Sequence, residues 1–393
     1  MIATSSSLNL PRGSTLIEDA DEEIFLLYTR KQQSSHSINE VSAKKGARPS
    51  GLGFHSDQGD VLNLTITVED PLNDPTESTV QKKGKKGKGK QKASFEVEVE
   101  LHQSLANLRH RTGDTGSVLW RLSLHFAKYL LTSHHYPHPT LSPPLLPHLS
   151  TSKILELGSG TGFLGIALRS IFTHDKSSCP KSPPPPSRNS TPPRTSPKNL
   201  LSALPTTAPS PFRWTFSDQF ENLSLILRNL RSNSISPSSI GETLDQPYSV
   251  IELDWLVESK RFLKTRSLTN KKEEEEEEED DDKPDLILAI DCIYNPSLSQ
   301  PLAHTILNQS KKSTITVVAS ELRDSEPLEV FLRCFLEEGE KKFGEGRWKV
   351  ARLGCEEEKE GDEHGVTERK GGEGGGGGEL EDSKFVVWVA WCE

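Results

Sequence analysis

A glycine-rich turn stands between two apolar runs in the stretch KILELGSGTGFLGIAL, residues 153–168. Its glycines can be grouped in two ways: Gly158, Gly160 and Gly162 form G-x-G-x-G, whereas Gly160, Gly162 and Gly165 form G-x-G-x-x-G. Between a strand and a helix, such a turn lets a nucleotide-like ligand approach the backbone, because glycine has no side chain to obstruct it. The turn therefore predicts a nucleotide-like cofactor without deciding which one.

Acidic and aromatic side chains follow three further apolar segments. Asp218 ends FRWTFSD and is an acceptor suited to the hydroxyl pair of a ribose, and Trp255 follows IELD and can line an adenine pocket. Asp291 and Tyr294 lie three residues apart in AIDCIYN. If these segments are parallel strands, the side chains at their carboxyl ends meet at one edge of the sheet, where ligands bind.

Each of these residues also has a purely structural interpretation. Asp218 could cap the following helix, Trp120 and Trp255 could be core aromatics, and Asp291 could be a solvated loop acid. Cys292 is interpreted as a packed thiol rather than a nucleophile, because no histidine or other base recurs near it in the sequence. The functional interpretation therefore depends on the joint placement of these residues.

Strand and helix patterns alternate around these candidates. Strand-like segments such as KILEL and DLILAID are fully apolar, which is typical of parallel strands buried on both faces. The last two segments, RWKVARL and KFVVWVAW, have no helical pattern between them and are predicted to pair antiparallel. The predicted fold class is α/β and Rossmann-like: a mostly parallel sheet with a C-terminal antiparallel strand pair, covered by helices on both faces.

The 393 residues are predicted to hold one sizeable core interrupted by insertions. Residues 1–115 are expected to form an N-terminal extension, in which VLNLTITVE and SFEVEVEL make a β-hairpin around a Lys/Gly-rich loop, and residues 116–393 the main domain. Segments poor in apolar residues cannot offset the entropy of ordering, so they are predicted to be disordered. These insertions lie at about 174–210, 271–283 and 356–384, and the same composition marks 31–60 and 81–92.

Charge and cysteine usage exclude several classes of protein. The net charge of −10 equals the charge of the acidic run Glu273–Asp282, so positive and negative charges balance in the rest of the chain. The chain therefore has no overall positive potential that would attract nucleic acid. The five cysteines include no C-x-x-C pair, which argues against a disulfide framework and a zinc site. No segment approaches the ~20 apolar residues of a membrane span. We therefore expect no metal, no membrane contact, and a reducing location in the cytoplasm that can extend to the nucleus.

Five ordered segments together resemble a known family. TGSVLWRLSLHFAKYL, ILELGSGTGFLGIAL, FSDQ, IELDW and DLILAIDCIYN are similar to those of the seven-β-strand, S-adenosylmethionine-dependent protein-lysine methyltransferases with a D-x-x-Y motif. LIEDADEEIFLLYTRKQ and LAIDCIYNPSLSQPL are similar to the fungal branch called ribosomal lysine N-methyltransferase 5. The resemblance implies a class I methyltransferase fold, S-adenosylmethionine as cofactor, and a protein substrate with an acceptor lysine. That substrate would be a large-subunit ribosomal protein, so nucleic acid would be met only through the ribosome.

The resemblance also implies roles for individual residues. Asp291 and Tyr294 are the implied catalytic residues: Asp291 orients the substrate amine, and Tyr294 lines the lysine channel. Ile290 departs from the family pattern, because relatives commonly have a small residue there. The implied cofactor contacts are Trp120, Glu156, Gly158, Ser159, Gly160, Gly162, Asp218, Trp255 and Ile290.

Two other functions remain open at this point. A nicotinamide-dependent oxidoreductase would also use a glycine turn and an acid after the second strand, although the closing strand pair and the D-x-x-Y segment count against it. A non-catalytic binding module would keep the scaffold and lose cofactor contacts, and only Ile290 points in that direction. A methyltransferase would work chiefly by positioning a deprotonated amine in line with the methyl group.

Deleting Lys181–Pro209 together with Glu273–Asp282 should leave methyl transfer to the protein substrate within about one order of magnitude, because neither segment has the apolar pattern to join the core. A methyl-transfer assay measures the effect, and a thermal unfolding scan shows whether the shortened protein folds. A large loss of turnover in a folded deletion protein would show that one segment docks the substrate.

Overall fold

The computed structural model describes residues 8–38, 53–56, 59–73, 94–110, 115–138, 144–172, 212–237, 247–269, 282–354 and 384–393. The predicted insertions and the lysine-rich segment lie almost entirely outside these residues, so their disorder stays a prediction.

The residues before 116 contribute strands and helices to the fold. In chain order these are β1 (Thr15–Leu16), α1 (Ala20–Ile38), β2 (Val61–Glu69), β3 (Ser94–His102) and α2 (Leu105–His110).

Strands and helices alternate along the rest of the described chain. They are α3 (Arg121–His135), β4 (Lys153–Leu157), α4 (Phe163–Ala167), α5 (Arg169–Phe172), β5 (Arg213–Asp218), α6 (Phe220–Ser232), β6 (Tyr248–Glu252), α7 (Trp255–Thr269), β7 (Leu286–Ile290), α8 (Pro296–Gln309), β8 (Ile315–Glu321), α9 (Ser325–Phe343), β9 (Trp348–Arg352) and β10 (Phe385–Cys392).

An eight-stranded sheet in the order β1-β9-β10-β8-β7-β4-β5-β6 forms the centre of the fold. The five strands from β8 to β6 pair in parallel, whereas β10 is antiparallel to both of its neighbours, β8 and β9. All five residues of β7 are buried, as expected for a parallel strand covered on both faces. The predicted α/β fold with its C-terminal antiparallel pair is confirmed.

Helices cover both faces of this sheet, and the sheet divides the apolar core into two clusters. Alternate side chains of β8 show the division, because Val317 lies in one apolar cluster and Val318 in the other. Helix α3 packs into the first cluster through its apolar stripe, which consists of the buried residues Leu122, Phe126 and Leu130 together with Leu119 just before the helix.

The strands β2 and β3 pair antiparallel in a separate two-stranded sheet. Asn229 of α6 and Asn233, the residue just after this helix, bind the free edge of β3. Asn229 accepts from the His102 amide at 2.7 Å, and its own amide donates to the His102 carbonyl at 2.9 Å. Asn233 exchanges the same two hydrogen bonds with Glu100, at 3.1 and 2.7 Å. The side-chain amides therefore satisfy this edge as another strand would.

Helix α1 joins the main layers, which sequence composition did not indicate. Residues 31–38 were included in a stretch predicted to be unable to fold, and that prediction was wrong because they continue α1. Packing against the rest of the protein, rather than local propensity, stabilises most protein helices. The buried Glu23 ties α1 to the sheet: the Arg352 guanidinium donates to Oε2, and the Trp388 indole donates to Oε1 at 3.0 Å.

Replacing Glu23→Gln should lower the free energy of unfolding by about 3–5 kcal/mol, because it leaves the buried Arg352 charge without its counter-ion. Asp21→Asn is the matched control, since Asp21 lies on the same helix and pairs with Arg333 at the surface, where loss of an ion pair changes stability little. Urea unfolding measures both variants. Equal stability of Glu23→Gln and wild type would show that this pair does not anchor α1.

Candidate functional site

A cavity of about 400 Å³ opens where β4, β5, β6 and β7 end, with the start of α3 as its remaining wall. This is the edge at which parallel α/β sheets bind ligands. Gly162 is the one predicted site residue that does not line it. The predicted residues that do are Trp120, Glu156, Gly158, Ser159, Gly160, Asp218, Trp255, Ile290, Asp291 and Tyr294.

The glycine turn requires glycine for its backbone conformation. Gly158, Gly160 and Gly162 have φ of +60°, +54° and +73°, the left-handed region that side chains with a Cβ rarely adopt. A Cβ on Gly158 would lie 2.8 Å from the Cys292 sulfur, and one on Gly160 would lie 2.9 Å from the Gly116 carbonyl oxygen. The turn thus keeps a floor of bare backbone beneath the cavity.

Gly162 also allows close packing, as does Gly165. A Cβ on Gly162 would lie 3.2 Å from Ile226 of α6, and one on Gly165 would lie 2.5 Å from the Phe216 ring of β5. The first grouping of the glycines, G-x-G-x-G, therefore makes the turn, and Gly165 lets α4 approach the sheet closely.

The Asp218 carboxylate is bound to the glycine turn. Its Oδ2 accepts from the Gly160 amide at 2.7 Å, while Oδ1 accepts from the Gln219 amide at 2.8 Å and from the Asn222 side chain at 2.9 Å. Because Gly160 already donates to a carboxylate, this amide is not offered to a phosphate.

Carboxyl groups dominate the polar lining of the cavity. Among the described lining residues there is no lysine, arginine or histidine, which makes the site attractive to a cationic ligand. The six acidic residues that line it are Glu156, Asp218, Glu221, Glu252, Asp254 and Asp291.

Apolar side chains form the walls that a planar base would contact. The Trp255 ring lies against the glycine turn, 3.3 Å from the position of a Cβ on Gly158. Phe220 and Leu256 are 67% and 49% exposed at the mouth of the cavity, and sequence reasoning missed both. Each is near the first residue of the helix that follows a site strand, which is the signal that could have found them. Asp254 caps α7 by accepting from the Leu256 amide at 2.8 Å.

Asp291 is held by an arginine that sequence reasoning missed. Arg323 donates from Nη1 to Oδ1 at 3.0 Å and from Nη2 to Oδ2 at 2.7 Å, and it also pairs with Glu321 at 2.9 Å. Its guanidinium lies 4.8 Å from the centre of the Trp120 ring. The side chain of Asp291 is 1% exposed and its φ is +59°. The interpretation of Asp291 as a solvated loop acid was therefore wrong, and its carboxylate faces Arg323.

Two further groups at the base of the cavity are uncharged at neutral pH. Burial raises the pKa of Cys292 well above its ordinary value, helped by Asp218 and Asp291, and its thiol donates to the Leu157 carbonyl at 3.2 Å. This confirms the packed thiol. Burial also raises the pKa of Glu156 to about 8, although the Trp214 indole, which donates to it at 2.9 Å, opposes the shift.

The described part of the chain contains neither a membrane-spanning helix nor a cluster of metal-binding side chains. No helix there is long and apolar enough to cross a membrane. No group of three or more His, Cys, Asp or Glu side chains there could hold a metal ion.

Comparison with protein families finds a match to one described as "Lysine methyltransferase", over residues 101–178 and 248–338. The matched residues include the glycine turn and the D-x-x-Y segment. A curated relative, diaminohydroxyphosphoribosylamino-pyrimidine deaminase of Schizosaccharomyces pombe, is 27% identical over 239 residues. The match covers 60% of this chain and 41% of the relative, so the chain spans about two fifths of that protein's length. The P-C-x-x-C pair of zinc-dependent nucleobase deaminases does not occur in this sequence.

Solved structures with partly similar folds are also methyltransferases. A putative SAM-dependent methyltransferase from Streptococcus mutans is 11% identical with a TM-score of 0.33, covering 75% of this chain and 53% of that one. Human N-acetylserotonin methyltransferase in complex with SAM is 10% identical with a TM-score of 0.29, covering 68% and 51%. The strand order is that of a Rossmann-like, class I methyltransferase fold, and the family match supports S-adenosylmethionine-dependent methyl transfer.

Replacing Glu156→Gln should change the pH dependence of stability. Because the folded pKa of Glu156 is about 8, the folded state keeps a proton that the unfolded chain loses near its ordinary pKa. The free energy of unfolding of the wild type should therefore fall relative to Glu156→Gln as pH rises from 5 to 8, by at most about 1.4 kcal/mol per pH unit.

Urea unfolding at several pH values, without the cofactor, measures this difference. Glu252→Gln, at the exposed rim of the same cavity, is the matched control and should show no such trend. A constant difference between wild type and Glu156→Gln would mean that the buried carboxyl is ionised.

Proposed function

We propose that this protein transfers the methyl group of S-adenosylmethionine to a lysine side chain of another protein. The observation that carries the proposal is the cavity at the carboxyl ends of β4 to β7, which has carboxyl groups and no basic side chain among its described lining residues. S-adenosylmethionine is a sulfonium that also carries an ammonium group, and the acceptor lysine is basic. Both therefore match the charge of this site.

The same observations weigh against a nicotinamide dinucleotide. Its pyrophosphate needs the free amides of a glycine turn at a helix N-terminus. Here the Gly160 amide donates to the Asp218 carboxylate at 2.7 Å, which would repel a phosphate. The closing antiparallel strand pair also departs from the dinucleotide-binding fold.

A non-catalytic binding module is favoured less, because the cavity is open. Ile290 is buried and lines the cavity, yet about 400 Å³ of space remains, a volume within the range of small-molecule sites. The departure at Ile290 therefore leaves the cavity open.

The residues of this chain would act mainly by positioning. When bound, S-adenosylmethionine supplies an electrophilic methyl group on its sulfonium. The glycine turn and Asp218 would bind the ribose end, and Trp255, Phe220 and Leu256 would flank the base. Tyr294 would line the channel for the acceptor amine, which must be deprotonated to attack. Alignment of the two reacting groups can account for most of the acceleration.

A large-subunit ribosomal protein is the substrate that we propose. The support is the similarity of LIEDADEEIFLLYTRKQ and LAIDCIYNPSLSQPL to the fungal ribosomal lysine methyltransferases. The family match, described as lysine methyltransferase, is consistent with an amine acceptor. Such a substrate is made in the cytoplasm and assembled partly in the nucleus, and we propose the same locations for the enzyme.

Leu256→Ala should weaken S-adenosylmethionine binding several-fold, because it removes apolar surface from the wall next to Trp255. Leu263→Ala is the matched control: it lies on the same helix with 48% exposure, against 49% for Leu256, and does not line the cavity. Calorimetric titration with S-adenosylmethionine and with NAD measures both variants and the wild type. Binding of NAD alone by the wild type would refute the cofactor assignment.

Asp291→Asn should retain S-adenosylmethionine binding and lower methyl transfer by ~100-fold or more, the scale expected when reacting groups lose alignment. Asparagine tolerates the positive φ at this position, so folding should survive. Asp285→Asn, at the amino end of the same strand and far from the cavity, is the control.

The assay transfers labelled methyl groups to large ribosomal subunits from cells that lack the enzyme, followed by peptide mapping. Label on a lysine of a subunit protein supports the proposal. Label on another residue type contradicts the lysine assignment. The absence of label, when the enzyme does bind S-adenosylmethionine, also contradicts it.

A further inference from the structure

We infer that Arg323 is a positioning residue that sets the charge met by the acceptor lysine, because it holds the acid of the D-x-x-Y motif in a closed ion pair. The inference rests on the proposed lysine methylation and assigns a role to a residue outside the sequence motifs. Arg323 lies just after β8, and Asp291 lies just after β7, the strand that pairs with β8 in parallel.

The geometry of the pair is fixed from several directions. Both guanidinium nitrogens bind the two oxygens of Asp291, at 3.0 and 2.7 Å, which is the bidentate form that holds a carboxylate in one orientation. The Glu321 amide donates weakly to the same carboxylate at 3.4 Å. The Trp120 ring lies below the guanidinium, and Gly53 leaves room for it, because a Cβ there would lie 2.7 Å from Nη2.

This pair resolves a conflict in the chemistry. Lysine must lose its proton before it attacks, yet an unpaired carboxylate nearby would stabilise the ammonium and raise the pKa of the lysine. Arg323 neutralises the charge of Asp291, so the acceptor amine lies near an ion pair instead of an unpaired carboxylate, and its pKa is raised less. Burial opposes the charge on Arg323, but Asp291 and Glu321 raise its pKa, so it stays a cation through the working pH range.

Other titratable groups lie near the pair, and the variants used in a test must leave these residues unchanged. They are Glu321 on β8, Cys292 and Tyr294 after β7, and Glu156 and Asp218 at the ends of β4 and β5. Near the start of α3, Arg121 and His125 lie close to His55.

The experiment compares pH profiles of single-turnover methyl transfer with both substrates saturating, since these report groups in the complex. The net charge of Asp291, Arg323 and Glu321 is −1 in the wild type, 0 in Asp291→Asn, −2 in Arg323→Met and −1 in the double variant. The acid limb of the profile should therefore move to lower pH in Asp291→Asn and to higher pH, by roughly one unit or more, in Arg323→Met. The double variant should return it towards the wild-type position.

Arg333→Met, an exposed arginine on α9, is the control and should leave the profile unchanged. Arg323→Lys keeps the charge, so the acid limb of its profile should stay in place while the maximal rate falls. This variant replaces Arg323→Met in the test if Arg323→Met fails to fold. A purely structural role for Arg323 predicts a loss of rate that is equal at every pH, which would overturn the inference.

A second measurement separates this inference from the proposed function. Calorimetry of a substrate peptide with S-adenosylhomocysteine, in buffers of different ionisation enthalpy, counts the protons released on binding. The wild type should release close to one proton per lysine at neutral pH, and Arg323→Met fewer. Equal proton release in an active enzyme would overturn the role of Arg323 alone, whereas a wild type that methylates no lysine would overturn both.

Discussion

The hydrogen bond from the Gly160 amide to the Asp218 carboxylate is the contact on which the rest of the site depends. It joins the turn after β4 to the end of β5, so that the two strand ends form one rigid floor. The turn can approach β5 this closely because its glycines adopt left-handed backbone without a Cβ. The same bond places a carboxylate where a dinucleotide site would present a free amide. One interaction thus sets both the shape of the cavity and the charge of the ligand that it favours.

Each buried acid near this floor is accommodated in a different way. Glu156 has its pKa raised to about 8 and stays protonated at neutral pH, Asp218 accepts three hydrogen bonds, and Asp291 pairs with Arg323. Burying several unpaired carboxylates in one cavity would be prohibitively costly. Protonation, hydrogen bonding and ion pairing let the scaffold stay stable with these three acids buried, and the exposed Glu221, Glu252 and Asp254 keep the cavity acidic.

Most of the architecture could be predicted because its signals are local in sequence. The apolar strands, the stripe on α3 and the lack of a helical sequence pattern before the last strand predicted the sheet, its layers and its antiparallel end. The placement of Asp218, Trp255 and Asp291 at one edge followed from the rule that parallel strands end together. Helix α1 was only partly anticipated, since its stability depends on contacts such as Glu23 with Arg352, which are separated by more than three hundred positions.

By itself the sequence determined which residues reach the cavity, because a strand end and a glycine turn are specified by neighbouring residues. Only the tertiary structure decided what those residues do there. Asp291 is a paired carboxylate rather than a free one because Arg323 follows the adjacent strand β8. Phe220 and Leu256 both line the cavity because their helices follow the neighbouring strands β5 and β6. Charge pairing and cavity walls depend on distances between segments remote in sequence, and no local pattern records those distances.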